Sequence, residues 1–235
     1  MCQEESNCVG GKMKTDVRPD KIDIGKKSVC LIGCGGLGCN VSVHLAGAGI
    51  GKLFLCDFDV IEESNLNRQF MYSFADVGKS KCKTLQKKLS AYAPKTELTA
   101  VEGKISRESD LAFARDCDLV VLAVDNNEAR AVVNRFCQKY RIPVIDGGID
   151  GFYGRMYFCI PGITPCLFCA GMISENGKTV SVSSTAGLIG SLEASAAVTY
   201  LSSGDDSMSG KIYVYDSDRF DTLSVKASAG CEFCK

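Results

Sequence analysis

Short apolar runs alternate with longer amphipathic or small-residue segments over the first 150 residues of the chain. The apolar runs are short and are bounded by Gly, Pro or charged residues, so they predict buried strands at residues 29–32, 52–57, 97–102, 119–124 and 143–147. The intervening segments predict helices at residues 36–49, 78–91, 108–115 and 127–140. Strands that alternate with helices predict an α/β fold, in which a mostly parallel sheet carries helices on both faces.

The pattern changes after residue 150. Residues 154–160, 211–216 and 219–225 predict further strands, and the last two are close enough to form an antiparallel hairpin. Residues 186–201 predict a helix rich in small side chains, whereas residues 164–186 show no clear period. We therefore divide the chain into an N-terminal arm at residues 1–27 and a single domain at residues 28–235, whose halves meet near residue 150.

Composition narrows the choice of function. The chain has 235 residues, 46% of them apolar and 23% charged, with a net charge of −1. This balance argues against a nucleic-acid partner or an anionic membrane surface, because both usually require a basic excess. Residues 1–27 lack the apolar core of a signal peptide, and no stretch of about 18 apolar residues predicts a membrane span.

The chain contains fourteen cysteines. Five of them lie within apolar runs, where cysteine behaves as a small hydrophobic residue: Cys30, Cys34, Cys56, Cys117 and Cys159. Secreted disulfide scaffolds are usually short and carry a signal, so the cysteine content predicts reduced thiols and a cytoplasmic location.

A glycine-rich segment with the pattern G-x-G-x-x-G, residues 33–38, follows the first predicted strand and opens the first predicted helix. Its glycines, Gly33, Gly35, Gly36 and Gly38, permit a tight turn in which backbone N–H groups and the helix N-terminus approach a phosphate. Asp57 follows Gly36 by 21 residues, near the spacing of about 20 at which an acid holds a ribose. These residues predict a nucleotide site; the alternative is a purely structural turn.

Charged and amide side chains follow two of the predicted strands or open the next helix. Asn65 and Arg68 follow the second strand, Lys81 lies near the start of the next helix, and Asp125 and Asn126 follow the strand at residues 119–124. Asn65, Arg68, Lys81 and Asp125 can therefore converge on one crevice at the carboxyl edge of the sheet. Two cations and a carboxylate suit a triphosphate with Mg²⁺ better than a redox dinucleotide. For any one of these residues alone, a solvated surface position is the simpler explanation.

Four cysteines form two C-x₂-C pairs, and 61 residues separate Cys166-x-x-Cys169 from Cys231-x-x-Cys234. Two such pairs supply the four thiolates that a structural Zn²⁺ prefers, and the gap requires the fold to bring them together. A redox pair and unliganded core thiols are the alternatives. A closed Cys₄ site has no open coordination position, so we assign the metal no catalytic role.

The order and spacing of these segments resemble the ThiF/MoeB/HesA adenylyltransferases, the bacterial relatives of ubiquitin-activating enzymes. Five segments carry the resemblance, which spans residues 29–235: residues 33–38, 57–59, 65–69, 78–81 and 125–126. It implies a Rossmann-like sheet with added antiparallel strands and a Cys₄ zinc knuckle in the C-terminal half. Residues 28–150 then form the nucleotide-binding half, and residues 151–235 form the zinc-bearing, carrier-binding half.

The resemblance also implies a reaction. ATP with Mg²⁺ is attacked by the C-terminal glycine carboxylate of a small ubiquitin-like sulfur carrier of the ThiS or MoaD kind, which gives an acyl-adenylate and pyrophosphate. Gly36 would contact phosphate, Asp57 the ribose and Asp125 the Mg²⁺, with Asn126 beside it. Asn65, Arg68 and Lys81 would bind the triphosphate. The catalytic residues implied are Arg68, Lys81 and Asp125.

Several expectations depend on this resemblance alone. The enzyme would be a homodimer. Relatives commonly carry an Arg-Gln motif whose Arg reaches the partner's nucleotide, but here Pro19 follows Arg18, so the role of Arg18 is left open. No cysteine occurs in residues 170–186, where some relatives carry a nucleophile, so a separate sulfurtransferase would supply the sulfur. A tRNA-modifying ATP-dependent dehydratase, a non-catalytic scaffold partner and an NAD-dependent dehydrogenase are the competing functions. The carrier, and with it a thiamine or molybdopterin pathway, cannot be chosen from the sequence.

Overall fold

The computed structural model describes residues 23–173 and 180–234. Eight strands form one sheet in the order β3-β2-β1-β4-β5-β6-β7-β8. The strands are β1 Ser28–Ile32, β2 Lys52–Cys56, β3 Glu97–Val101, β4 Leu119–Leu122, β5 Val144–Asp150, β6 Tyr153–Cys159, β7 Lys211–Asp216 and β8 Arg219–Ser224. The helices are α1 Gly36–Gly47, α2 Lys81–Tyr92, α3 Asn127–Tyr140 and α4 Ser183–Ser203.

The sheet has a parallel part and an antiparallel part. Strands β3, β2, β1, β4 and β5 run parallel, and β6, β7 and β8 continue the sheet in antiparallel pairs. The chain moves outward from β1 through β2 to β3 and then returns to place β4 on the other side of β1. This reversal creates a crevice at the carboxyl ends of β1 and β4, where open α/β sheets bind ligands. The Rossmann-like prediction is confirmed, including its antiparallel extension.

Helices cover both faces of the sheet, as the sequence predicts. Val29 and Leu31 of β1 face a core built with α1, α2 and α4. Cys30 and Ile32 face the opposite core, which contains α3 and the 3₁₀ helix Glu108–Ala114. The five cysteines assigned to apolar runs are all buried, which confirms that they act as core side chains.

Several helices differ from their predicted form. Helix α1 ends at Gly47 and not at residue 49, and α4 spans Ser183–Ser203 and not residues 186–201. The helix predicted at residues 78–91 begins at Lys81, because residues 78–80 bond to the preceding loop. The Gly78 N–H donates to the Ile61 carbonyl at 2.8 Å, and the Ile61 N–H donates to the Lys79 carbonyl at 2.8 Å. The segment predicted as a helix at residues 108–115 forms the 3₁₀ helix Glu108–Ala114.

Part of the predicted N-terminal arm joins the core. Ile24 is buried, and its carbonyl accepts a hydrogen bond from the Gly51 N–H at 3.0 Å. Arg18 lies outside the described residues. Within residues 23–173 and 180–234, no helix is long and apolar enough to cross a membrane.

Asp76 organises the long connection between β2 and α2. Its Oδ2 atom accepts hydrogen bonds from the Ser73 N–H at 3.0 Å and from Lys88, whose Nζ also donates to the Met71 carbonyl at 2.7 Å. Lys88 and Ser73 hold the pKa of Asp76 well below its usual range. The connection carries three of the predicted site residues, so this network positions the site.

We predict that Asp76→Asn destabilises the protein at neutral pH by about 1–3 kcal/mol, because it removes a charge-assisted hydrogen bond. The native pKa of Asp76 is lowered, so its contribution is present above the unfolded pKa of about 3.9 and is lost as the pH falls through the native pKa. Urea unfolding of both proteins at several pH values between about 7 and 3 measures the difference. The difference in the free energy of unfolding should become smaller as the pH is lowered. The control variant Asp116→Asn, which changes an exposed carboxylate, should show no such trend.

Candidate active site

A cavity of about 650 Å³ opens at the carboxyl ends of β1, β2, β4 and β5. It is lined by nine of the ten residues that the sequence assigns to nucleotide binding: Gly33, Gly35, Gly36, Asp57, Asn65, Arg68, Lys81, Asp125 and Asn126. Gly38 is the tenth and does not line the cavity. The fold therefore brings residues from five separate chain segments to one place.

The glycines of the turn have different tasks. Gly33 has φ +97°, and a Cβ on it would lie 2.3 Å from the Ala123 carbonyl oxygen at the end of β4. A Cβ on Gly38 would lie 2.0 Å from the Gly33 carbonyl oxygen. These two glycines allow the turn to pack closely against β4 and against α1, whereas Gly35 and Gly36 border the open cavity.

The turn presents hydrogen-bond donors to the cavity. The first N–H groups of α1 have no acceptor within the helix, and the N-terminus carries a partial positive charge. Gly35, the N-cap residue, supplies no side-chain cap. Gln69 lies next to it: its Oε1 atom is buried and has no hydrogen-bond partner in the described part of the chain. The uncapped helix end fits an anionic ligand, and the orphaned Oε1 atom, an acceptor, fits a ligand donor such as a hydroxyl group. The sequence pattern does not mark Gln69 as a site residue.

Asp57 is the most buried acid of the cavity wall. Its Oδ2 atom accepts a hydrogen bond from the Cys34 N–H at 2.6 Å, and its Oδ1 atom accepts one from the Asp59 N–H at 2.8 Å. Burial raises the pKa of Asp57, and the two N–H groups partly offset that increase. Each carboxylate oxygen has a second lone pair, so these contacts leave room for a ligand hydroxyl.

Lys81 forms an ion pair with Asp59, a residue that the sequence pattern does not mark as part of the site. The Lys81 Nζ to Asp59 Oδ2 distance is 2.9 Å, and the Lys81 N–H also donates to the Asp59 carbonyl at 3.0 Å. The Lys81 side chain is 9% exposed, while that of Asp59 is 48% exposed. The pair therefore directs a shielded ammonium group into the cavity.

Arg68 lies beside the glycine turn with its charge uncompensated. A Cβ on Gly36 would lie 3.5 Å from Arg68 Cγ. The Nη1 atom of Arg68 donates to the Ser64 carbonyl at 3.1 Å and to Asn67 Oδ1 at 2.8 Å. Arg68 forms no ion pair with a described residue. Asn65 is buried and fixes this segment, because its Oδ1 atom accepts from the Glu62 N–H at 3.1 Å.

Asp125 and Asn126 follow β4 and precede α3. Asn126 caps that helix: its Oδ1 atom accepts from the Ala129 N–H at 2.8 Å. Asp125 is placed at the cavity by this capped turn. The structure thus gives Asn126 a structural task in addition to its position in the cavity wall.

Arg130 also lines the cavity, although the sequence pattern does not single it out. Its Nε atom donates to both carboxylate oxygens of Asp146 at 3.0 and 3.1 Å, and its Nη2 atom donates to the Val124 and Gly147 carbonyls at 2.7 and 2.9 Å. Both side chains are buried. Burial raises the pKa of Asp146, and the Arg130 guanidinium opposes this increase. Through its hydrogen bond to the Val124 carbonyl, the pair fixes the chain just before Asp125.

The fold brings the two C-x₂-C pairs together. The Sγ atoms of Cys166, Cys169, Cys231 and Cys234 all lie within 4.8 Å of one another. The Cys166–Cys231 and Cys169–Cys234 Sγ distances are 3.7 and 3.6 Å. Ligands at about 2.3 Å from a tetrahedral Zn²⁺ would be about 3.8 Å apart, so the four thiols can hold such an ion.

Backbone N–H groups contact two of these sulfur atoms, although burial raises the pKa of Cys166 and of Cys234. The Ser228 N–H donates to Cys169 Sγ at 3.3 Å, and the Cys166 N–H donates to Cys234 Sγ at 3.3 Å. Burial opposes ionisation, but the Ser228 N–H and the neighbouring thiols lower the pKa of Cys169 to about 7. A set of four thiols with N–H donors is the ligand chemistry of a structural metal site.

Residues 16–234 match the family model described as "ThiF family". The chain belongs to the ThiF family. The molybdopterin-synthase adenylyltransferase of Escherichia coli is 33% identical over 214 residues, which cover 88% of this chain and 86% of that protein. The sulfur carrier protein ThiS adenylyltransferase of the same organism is 31% identical over 214 residues, with the same coverage of each chain.

A solved structure supports the fold assignment. The crystal structure of E. coli MccB with ATP superposes with a TM-score of 0.83 at 25% identity, covering 92% of this chain and 68% of MccB. The ThiF-family chain therefore has the fold of a protein that has been crystallised with ATP.

The glycine turn of this ThiF-family chain yields a stability prediction. Gly38→Ala should cost about 1–3 kcal/mol or more, because its methyl group would overlap the Gly33 carbonyl. Gly35→Ala should change stability little, since its methyl group would lie 3.6 Å from its nearest neighbour, Gln69 Nε2. Thermal unfolding of the two variants measures both effects. Equal losses of stability would show that the turn does not pack as described.

Proposed function

We propose that this ThiF-family enzyme adenylates the C-terminal glycine carboxylate of a small ubiquitin-like sulfur carrier of the ThiS or MoaD kind. The enzyme class is ATP-dependent adenylyltransferase, which agrees with the names of the two E. coli relatives. One observation carries the proposal: Arg68, Lys81 and Asp125 line the same cavity as the glycine turn. A redox dinucleotide needs no such set of charges.

In the proposed reaction, a carboxylate oxygen of the carrier forms a bond to the α-phosphorus of ATP. The bond from that phosphorus to the oxygen bridging to the β-phosphate breaks, and pyrophosphate leaves with the electron pair. No proton has to be transferred, so catalysis depends on positioning and on cations. Arg68 and Lys81 would stabilise the charge on the phosphates, Gly35 and Gly36 would offer N–H donors, and Asp57 would hold the ribose. Asp125 would bind Mg²⁺, which supplies further neutralising charge.

The second half of the chain supports a protein partner. Strand β8 is exposed along its whole length, and its Phe220 and Leu223 side chains are 58% and 55% exposed. Strand β8 is also the edge of the sheet, and an edge strand offers a row of unpaired N–H and C=O groups to a partner. We propose that residues 151–235 are the carrier-binding half of the domain. Which carrier binds there, in a thiamine, molybdopterin or other pathway, is left open.

Three further assignments belong to the proposal. A homodimer agrees with the exposed Phe70, Phe74 and Val77, which cluster in sequence just after Arg68. A separate sulfurtransferase agrees with the lack of cysteine in residues 170–186. A cytoplasmic location agrees with the free thiols of the described cores.

We also propose that Zn²⁺ is the ion held by Cys166, Cys169, Cys231 and Cys234. The support is the donor set and the near-tetrahedral sulfur spacing. The ion would be structural, because it would join the segment before α4 to the C-terminal segment and leave no open coordination position.

The catalytic assignment is tested by ATP–pyrophosphate exchange in the presence of a carrier that ends in Gly-Gly. We expect Arg68→Ala and Lys81→Ala to lower the exchange rate by roughly 10²–10³-fold, the effect of losing a preorganised charge at a transition state. Lys87→Ala, which removes an exposed lysine from the same helix as Lys81, is the matched control and should retain full activity.

Undiminished exchange by the Arg68→Ala enzyme would contradict the assignment.

Each competing function predicts a different result with the same purified enzyme. Exchange with a tRNA but not with a carrier would favour the dehydratase, and tight binding in an NAD titration would favour a dehydrogenase. Failure of wild-type enzyme to bind ATP would favour a scaffold.

The metal assignment predicts one zinc per chain in protein purified under reducing conditions. Cys231→Ser combined with Cys234→Ser should lose the metal and lower the unfolding temperature, because a structural zinc site contributes folding free energy. Elemental analysis and thermal unfolding measure both. Cys117→Ser, a change outside the group, should keep its zinc. Wild-type protein without zinc would refute the assignment.

A further inference from the structure

The cavity extends beyond the residues assigned to the nucleotide. Asp57, the glycine turn and Asp125 lie at the ends of β2, β1 and β4. The lining continues past β4 along the β5–β6 hairpin, where it includes Gly148 and Arg155. Strand β5 is two positions from β1 in the sheet, or roughly 10 Å at the usual strand spacing. This end of the cavity is too far from the glycine turn to contact the same phosphate.

Gly148 leaves a space between two guanidinium groups. It is the direct partner of Arg155 in the antiparallel β5–β6 register. A Cβ on Gly148 would lie 3.6 Å from Arg130 Nη2 and 3.6 Å from Arg155 Nε. Both arginines line the cavity, so the space borders two cationic side chains.

The two arginines differ in charge balance. Asp146 neutralises Arg130 in a buried ion pair. Arg155 has no ion pair with any residue in ranges 23–173 and 180–234; its Nη1 and Nη2 atoms donate instead to the Gly171 and Met172 carbonyls, at 3.0 and 3.3 Å. Neutral carbonyls fix the guanidinium without cancelling its charge. A half-buried arginine held in this way can bind an anion with little further loss of side-chain entropy.

We propose that Arg155, across the space left by Gly148, is the docking site for the terminal carboxylate of the acceptor chain before it attacks ATP. This inference rests on the proposed function and names the residue that recognises its second substrate. An extended chain ending in glycine offers one carboxylate and no side chain, which suits a narrow space with a cation at its edge. The carboxylate must leave Arg155 to reach the α-phosphorus, so Arg155 contributes to acceptor binding and not to the chemical step.

This role predicts a separation of kinetic constants. Arg155→Gln should raise the KM for the carrier by roughly tenfold to a hundredfold, the range expected for losing a hydrogen bond to a charged group. The KM for ATP should stay close to its wild-type value, and kcat should not fall, because the contact with Arg155 is already broken when the chemical step occurs. Gly148→Ala should also raise the carrier KM while leaving stability unchanged, because its methyl group meets its neighbours at ordinary contact distances.

The experiment uses ATP–pyrophosphate exchange with the carrier, and binding of a fluorescent peptide ending in Gly-Gly as its free acid or as its C-terminal amide. Wild-type enzyme should prefer the acid, and Arg155→Gln should lose that preference. Arg135→Gln, which changes an exposed arginine on α3 outside the cavity, is the matched control. Arg155 also holds the Gly171 and Met172 carbonyls, just beyond Cys169. Zinc content and thermal unfolding are therefore measured for each variant, to detect a purely structural effect.

Each outcome has a definite meaning. An unchanged carrier KM and an unchanged acid preference in Arg155→Gln would overturn the proposal, and so would wild-type enzyme that binds acid and amide equally or binds neither. A loss of zinc or an equal rise in both KM values would replace it with a structural role. If wild-type enzyme prefers the acid but supports no exchange, the proposed adenylation fails while the docking site stands.

Discussion

The buried carboxylate of Asp57 joins the chain segments that form the nucleotide cavity. It accepts one hydrogen bond from Cys34 in the glycine turn and one from Asp59 at the start of the following loop. Asp59 then pairs with Lys81 at the start of α2. Tyr72 adds a second connection, since its hydroxyl group donates to the Cys34 carbonyl at 2.8 Å. The positions of the glycine turn and of Lys81 therefore depend on one acid that is held in a largely desolvated place.

This arrangement explains why one sheet edge can serve two substrates. The residues that follow the parallel strands carry side chains suited to phosphates and a ribose. They lie at one edge of the sheet because parallel strands run in the same direction. The β5–β6 hairpin reverses that direction and brings Arg155 of the antiparallel part to the same cavity. The buried Arg130–Asp146 pair lies at the boundary and holds the end of β4 between the two regions.

The sequence predicts most of the fold and the main outline of the site, because both depend on local signals. Helix α3 has the predicted bounds, since Asn126 caps it and Arg141 ends it in a left-handed conformation. The glycine pattern predicts the turn in the same way. Asp59, Gln69, Arg130 and Arg155 were not assigned, because their roles come from partners distant in the chain or from burial. The positions of charged residues in the sequence cannot distinguish a solvated arginine from one that is buried and holds the end of a strand.

Gly38 illustrates the limit of a motif. The pattern assigns all four glycines to the ligand, yet packing explains Gly38, whose hydrogen atom faces the Gly33 carbonyl at a distance that no methyl group allows. The start of α2 shows the same limit, because hydrogen bonds to Ile61 override the helical pattern of residues 78–80. Tertiary contacts decide both positions, and no local pattern contains them.

The central claim is that this cavity activates the terminal carboxylate of a carrier protein with ATP. The most direct test is ATP–pyrophosphate exchange by wild-type enzyme with a Gly-Gly-ending carrier, compared with the same carrier shortened by its last glycine and with no carrier. Exchange that requires both ATP and the intact carrier is the predicted result. Exchange that proceeds equally without any carrier, or that is absent with every carrier of this kind while ATP still binds, would contradict the claim.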